Sequence, residues 1–220
     1  MSAALRKSIL PVVAVMAVTT GCSSGGDNGT AEADRGKSAR EVCGAFAKDA
    51  PSSAALKAIT GDERFRSDLS EPEKALETLR DTARFGLGEN ARIQGIPYCR
   101  LLPVKNADSA VRIDLRPVLA ALERDPRLEG TVTYFTSGEL ASSSEALASV
   151  FFTCRMKVPA HEIVIQAQLE GPDLNKAPQK DIRAHQVTLA NAVARKVAVE
   201  LGCRNDTKLV SGVPAPAPAR

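Results

Sequence analysis

The chain has 220 residues, with 29 Lys and Arg against 26 Asp and Glu for a formal net charge of +3, no Trp, two Tyr and six Phe. So slight a cationic excess offers no clustered field for phosphates, and so few aromatics leave bases and sugar rings without stacking platforms, which argues against a nucleic-acid partner. With two His and no Cys-x-x-Cys pair, sequence-local zinc spacing is absent and no metal or other cofactor is expected.

Arg6 and Lys7 precede an uninterrupted apolar run, ILPVVAVMAV, from Ile9 to Val18. A membrane span needs about 20 apolar residues to cross a hydrocarbon core of about 30 Å, so the run is too short to be one. A positive start, a short apolar stretch and small residues after it predict a secretory signal over 1–21. Thr20-Gly21-Cys22, followed by Ser23-Ser24-Gly25-Gly26, resembles the lipobox of bacterial lipoproteins, with Thr19 where such sequences usually carry Leu. The resemblance implies removal of the leader and lipid attachment at Cys22. Acyl burial yields about 0.8 kcal/mol per CH₂, so one chain binds marginally and two hold firmly. Removal of 1–21 takes away Arg6 and Lys7 and no acid, leaving 199 residues and a net charge of +1.

Residues 23–37 show no apolar periodicity, so 22–37 is expected to be the acylated cysteine and a flexible spacer, spanning about 20 Å as a coil. At the far end, GVPAPAPAR predicts an extended, exposed segment, and 206–220 is expected to be a disordered Pro/Ala-rich tail. Residues 38–205 are long enough for one domain with its own core.

Within that domain Ser38-Ala39-Arg40-Glu41 is a capping-box pattern that predicts a helix carrying Val42, Cys43, Phe46, Ala47 and Ala50 and stopped by Pro51. A second helix is expected over 52–60, ended by Gly61. A third opens at Ser70-Glu71-Pro72-Glu73, with Leu76, Leu79 and Ala83 on one face and Gly86 and Gly88 at its end. The period then changes. Cys99, Leu101, Val111, Ile113 and Leu115 alternate with mostly polar neighbours and predict a hairpin with its loop at 105–109. Pro117 is expected to open a short helix over 118–123, and TVTYFT at 131–136 predicts a strand. Val150, Phe152, Cys154, Met156 and Val158 share one face of the next strand. Ile163, Ile165, Ala167 and Leu169 share one face of its partner. A tight turn at Pro159-Ala160 would pair Cys154 with Ile165 and Met156 with Ile163. The last helix, over about 179–201, carries an inner stripe of Ile182, Gln186, Leu189, Val193, Val197 and Leu201. The fold class read from this order is α+β: an antiparallel sheet of about five strands, packed by N-terminal helices and a long C-terminal helix.

Cys43, Cys99, Cys154 and Cys203 are separated by 56, 55 and 49 residues, and in an exported chain they predict two disulfides. Of the three connectivities, Cys43–Cys99 with Cys154–Cys203 is favoured because each then closes one half of the chain. The segments PYCRLLPV at 97–104 and FTCRMKV at 152–158 echo one another, with Arg100 and Arg155 facing away from the cysteine side. Divergent duplication and coincidence both account for the echo.

The lipobox, the EVCGAF start, the KAITGDERF stretch, the strand cysteines followed by Arg and the closing VARKVAVELGC helix together resemble a class of small exported lipoproteins of high-GC Gram-positive bacteria. That resemblance implies location and fold, and no chemistry. Of the histidines, His161 lies at a predicted turn beside Glu162, and adjacent strand residues point to opposite faces, while His185 lies near the inner stripe of the last helix. Neither makes a dyad, no G-x-S-x-G elbow is present, and SSGGDNG follows no strand that would make it a phosphate loop. Asp108 and Asp114, and Glu71 with Glu73, read as surface and capping acids. No catalytic residue is assigned. The expectation is a lipid-anchored module on the extracytoplasmic side of the cell membrane that binds an envelope protein, a peptide or a small apolar ligand. The alternative is an envelope hydrolase or transferase whose residues converge only in three dimensions.

Overall fold

Two four-stranded antiparallel meanders meet edge to edge and form one eight-stranded sheet in the computed structural model, which describes residues 36–68, 70–87, 94–145, 147–158, 161–172 and 179–218. The first meander is β1 (Lys37–Ser38), β2 (Arg64–Asp68), β3 (Ile96–Pro103) and β4 (Val111–Val118); the second is β5 (Thr133–Phe135), β6 (Leu140–Ser143), β7 (Leu147–Arg155) and β8 (Glu162–Glu170). In their order across the sheet, β1-β2-β3-β4-β8-β7-β6-β5, each meander runs from an outer edge to the centre. The sheet thus has eight strands, not about five. The additional ones, β1, β2 and β6, are two to five residues long, too short to display a period of two. The signal at 1–21, Cys22 and the spacer up to residue 35 lie outside the described residues.

One face of the sheet is apolar throughout. Phe65, Cys99, Leu101, Val111, Ile113, Leu115, Val150, Phe152, Cys154, Ile165, Ala167 and Leu169 are all buried and fall on the same side through the observed strand pairings. Helices α1 (Ala50–Thr60), α2 (Pro72–Phe85) and α3 (Gln179–Leu201) complete that core. The α3 stripe is buried as the spacing predicts, and Ala190, Ala194 and Ala198 beside it let the helix lie close to the sheet. A bulge between Pro97 and Cys99 lets two consecutive residues, Tyr98 and Cys99, both turn inward.

Several sequence expectations change. The helix expected from Ser38 does not form. Ser38 N and Oγ both donate to Glu41 Oε2, at 2.9 and 2.6 Å, but Lys37 and Ser38 are drawn into β1, and the chain turns through positive φ at Cys43, Gly44 and Ala45. Strand pairing and burial of Val42, Cys43, Phe46 and Ala47 override local helical preference there. Pro51 starts a helix rather than ending one: Asp49 caps α1 by accepting from Ser52 N at 2.9 Å, with Pro51 in the first turn, where a missing N–H costs nothing. Gly61 ends it at φ 71°, the left-handed conformation that glycine adopts without strain. Pro117 opens no helix; β4 runs through it to Val118. It lies past Leu115, where β4 has β8 as its only partner among the described residues, so a proline is tolerated.

The β7–β8 hairpin is wider than a tight turn. Cys154 pairs with Ile163 and Phe152 with Ile165, a shift of two residues from the expected register. Because side chains alternate with a period of two, such a shift leaves every face unchanged, whereas a shift of one would have inverted them.

The 206–220 tail is not disordered over its described residues. It returns along the β5 edge, with Thr136 N donating to Ala215 O at 2.8 Å and Ala217 N to Tyr134 O at 2.9 Å. The carboxamide of Asn191 on α3 donates to Val210 O at 2.9 Å, and Ser137 Oγ donates to Asn191 Oδ1 at 2.6 Å, which ties the tail to the core. Alternation explains the composition. Ala215 and Ala217 turn their backbone polar groups to β5, and Pro214, Pro216 and Pro218 fall at the positions facing away, where a strand needs no N–H.

Disulfides join Cys43 to Cys99 and Cys154 to Cys203, with Cα–Cα separations of 5.6 and 5.0 Å. Each ties a sheet strand to a segment outside the sheet, the turn before α1 in the first case and the end of α3 in the second.

Candidate functional site

The second face of the sheet carries alternate residues of the same strands. Arg100 on β3, Arg112, Asp114 and Arg116 on β4, Gln166, Gln168 and Glu170 on β8 and Ser149 and Thr153 on β7 give it a polar stretch through their cross-strand pairing, beside the apolar Val118, Val164, Phe151 and Leu140. Sequence reading placed Arg100 and Arg155 away from the cysteine face, and both stand on this side, opposite in direction to Cys99 and Cys154.

Asp114 is the departure from expectation. It is 2% exposed rather than a surface acid, and the neighbouring segment at Gly95 lies against it and Arg116. Arg112 reaches it with a two-point contact, Nε to Oδ1 at 3.2 Å and Nη2 to Oδ2 at 3.0 Å, which fixes the guanidinium while leaving half of that side chain exposed. Arg116 Nε is buried and has no hydrogen-bond partner among the described residues. The signal for this group was the period-two placing of Arg112, Asp114 and Arg116; what the sequence could not show is that a distant glycine closes over the middle member.

Beside it, Arg100 sits directly across from Arg112, and Glu170 directly across from Arg112 on the other side. Two cations facing each other across a strand pair repel rather than stabilise. They line a pocket of about 580 Å³ with Asp108, Pro97 and Pro172. The volume is that of a small-molecule site. At the corresponding place in the second meander, Arg155 faces Glu162 instead and the two form an ion pair at 2.8 Å.

His161 is exposed and borders a separate pocket of about 490 Å³ with Phe85, Leu119 and Thr82. Its neighbour Glu162 accepts from Arg155 Nε and Nη2, at 3.1 and 2.8 Å. His185 is half-buried on α3 and lies elsewhere. The two histidines are not brought together, and among the described residues neither side chain makes a hydrogen bond or ion pair.

Two other charged or polar groups are structural. Burial works against an ionised Asp62, yet N–H groups of Lys105, Arg64 and Glu63 and the Lys105 charge outweigh it and hold its pKa below the ordinary aspartate value. Burial, with Glu200 and Glu73 nearby, raises the pKa of Tyr98 well above the usual phenol range, so this hydroxyl stays protonated. Among the described residues no three His, Cys, Asp or Glu side chains are placed to hold a metal ion, and no helix is long and apolar enough to cross a membrane. Comparison of the chain with protein families, with curated proteins and with solved structures finds no match. The functional reading therefore rests on the site's geometry and on the motifs at the amino terminus.

Proposed function

We propose that the protein is an exported lipoprotein, held through Cys22 at the outer face of the cytoplasmic membrane, whose domain binds a ligand or partner on the helix-free face of its sheet without transforming it. The observation that carries this reading is the asymmetry of the sheet. Three helices pack on one face, while the other carries Arg, Gln, Ser and Thr around β4 and β8, with a pocket at one end and the buried aromatics Phe151 and Tyr134 on its β5–β7 side. Two disulfides bracing a domain behind a leader and a lipobox fit an oxidising location. The rigid strands of that face hold donors and acceptors at set spacings, as recognition of a ligand requires.

Intact-mass measurement of native protein tests the tether: a chain beginning at an acylated Cys22 is expected, and an unmodified residue 22 overturns it. A photoreactive group at Gln168, against one at exposed Val199 on α3, tests the binding face. Crosslinks are expected from Gln168 and not from Val199. Purified domain that turns over envelope substrates and loses that activity in His161→Ala or His185→Ala would establish the hydrolase or transferase reading instead.

A further inference from the structure

We infer that the pocket over Arg100 and Arg112 is a site for a small zwitterion, a free amino acid or short peptide bearing both a carboxylate and an ammonium group. The inference rests on the reading of the open sheet face as a binding surface and names what one part of it takes. Equivalent positions of the two meanders carry different charges. Cys99 pairs with Ile113 and Cys154 with Ile163, and overlaying those pairs sets Arg100 on Arg155 and Arg112 on Glu162. The second meander neutralises its arginine; the first places a second arginine opposite. Arg100 makes no hydrogen bond or ion pair among the described residues, although Asp68 stands across from it on β2, and Arg112 is turned aside and anchored by buried Asp114. Arg100 thus presents an unused fork of N–H donors beside a guanidinium that cannot swing away, the arrangement suited to a carboxylate.

Charge balance decides the rest of the ligand. Asp108 and Glu170 border the same pocket, both exposed and neither in an ion pair among the described residues, although Glu170 stands across from Arg112. A simple anion would meet their repulsion as it approached the arginines. A zwitterion uses both signs, its carboxylate on Arg100 and its ammonium toward Glu170 and Asp108, with Pro97, Ala110 and Pro172 as apolar walls for the carbon between. The pocket volume, about 580 Å³, accommodates a dipeptide.

Isothermal titration of the full-length protein with glycylglycine tests this, with N-acetylglycine, glycinamide and inorganic phosphate as single-charge probes. Glycylglycine is expected to bind at least tenfold more tightly than any of the three. Arg100→Gln and Glu170→Gln are each expected to weaken it at least tenfold with unchanged melting temperature, and Arg155→Gln, in the paired counterpart, to leave it unchanged. Absence of glycylglycine binding at millimolar concentration, equal binding by Arg100→Gln, or phosphate binding as tight as the dipeptide would each overturn the site. Loss of the site with Gln168 crosslinks retained would leave the broader reading standing; loss of both would remove the two together.

Discussion

The two meanders use the same strand order and the same cysteine position, yet they are built differently. Offsets that carry Ile113 onto Ile163 also carry Arg116 onto Gln166, and those two residues are partners in the central β4–β8 ladder, the register of a local two-fold axis. The Cys-Arg echo in the sequence thus has a structural counterpart in the sheet. In the second meander the four strands follow one another directly, and its one helix, α3, comes afterwards. In the first, α1 separates β1 from β2, and α2 separates β2 from β3. Contacts within β5–β8 are therefore closer in sequence than those within β1–β4, and local contacts cost less loop entropy. The comparison teaches that one strand plan can be held by different means. The first meander, interrupted by helices, relies on a buried aspartate and a disulfide to its amino-terminal turn; the second relies on its hairpins, a disulfide to α3 and the returning tail.

Breaking the disulfides is expected to have the largest effect and probes whether the halves are braced equally. The loops closed are 56 and 49 residues, so Cys43→Ala with Cys99→Ala, and separately Cys154→Ala with Cys203→Ala, should each lower stability by about 4 kcal/mol in the chain-entropy account. Denaturant unfolding of the two double variants measures both. A large loss in one and almost none in the other would show that the symmetry of the strand plan does not extend to the brace.

Asp62 has no counterpart in the second meander. Asp62→Ala leaves three N–H groups without their acceptor at the β2–β3 junction and should cost about 2–3 kcal/mol. Because its carboxyl titrates below the unfolded value, the stabilisation is complete above about pH 3.9 and is lost as pH falls through the folded value. Acid unfolding followed by circular dichroism should therefore be shallower below that pH in Asp62→Asn than in the parent.

Truncation after Gly212 removes the strand on β5. Losing two backbone hydrogen bonds should cost about 2 kcal/mol, and the bare β5 edge should associate with other copies in proportion to concentration. Sedimentation velocity reads that association, and a truncated chain that stays monomeric at high concentration would show that the prolines protect nothing. The smallest change converts the second meander's charge pattern into the first's. Glu162→Arg should set two guanidinium groups across β7 and β8 and cost about 0.5–1 kcal/mol in thermal unfolding, most visibly at low salt.

Legibility followed the length of the pattern. The alternation from Val150 through Leu169 and the stripe from Ile182 to Leu201 extend over several repeats, and the described structure buries those faces with few exceptions, Val158 being one. β2 offers Phe65 as its single buried apolar residue and β6 offers Ala141 with Ser143, so neither announces itself. The tail misled through its composition: prolines suggested an unpaired segment, although their spacing of two is what allows Ala215 and Ala217 to pair. In the candidate site Arg100 was visible as a strand residue on the polar side, but its opposition to Arg112 depends on register, and the burial of Asp114 depends on where the segment at Gly95 passes.

By itself the sequence determined which side of each long element is apolar, because side-chain alternation and helical spacing are properties of the local backbone. It also determined that four cysteines would be available to a domain behind a leader-like amino terminus. Only the tertiary structure decided how many strands there are, which residues oppose one another, and that Ser38 enters a strand despite its capping signal. Those outcomes depend on pairing between segments tens of residues apart, where burial and hydrogen-bond satisfaction outweigh the few tenths of a kcal/mol carried by local preference, and no short window of sequence contains both partners.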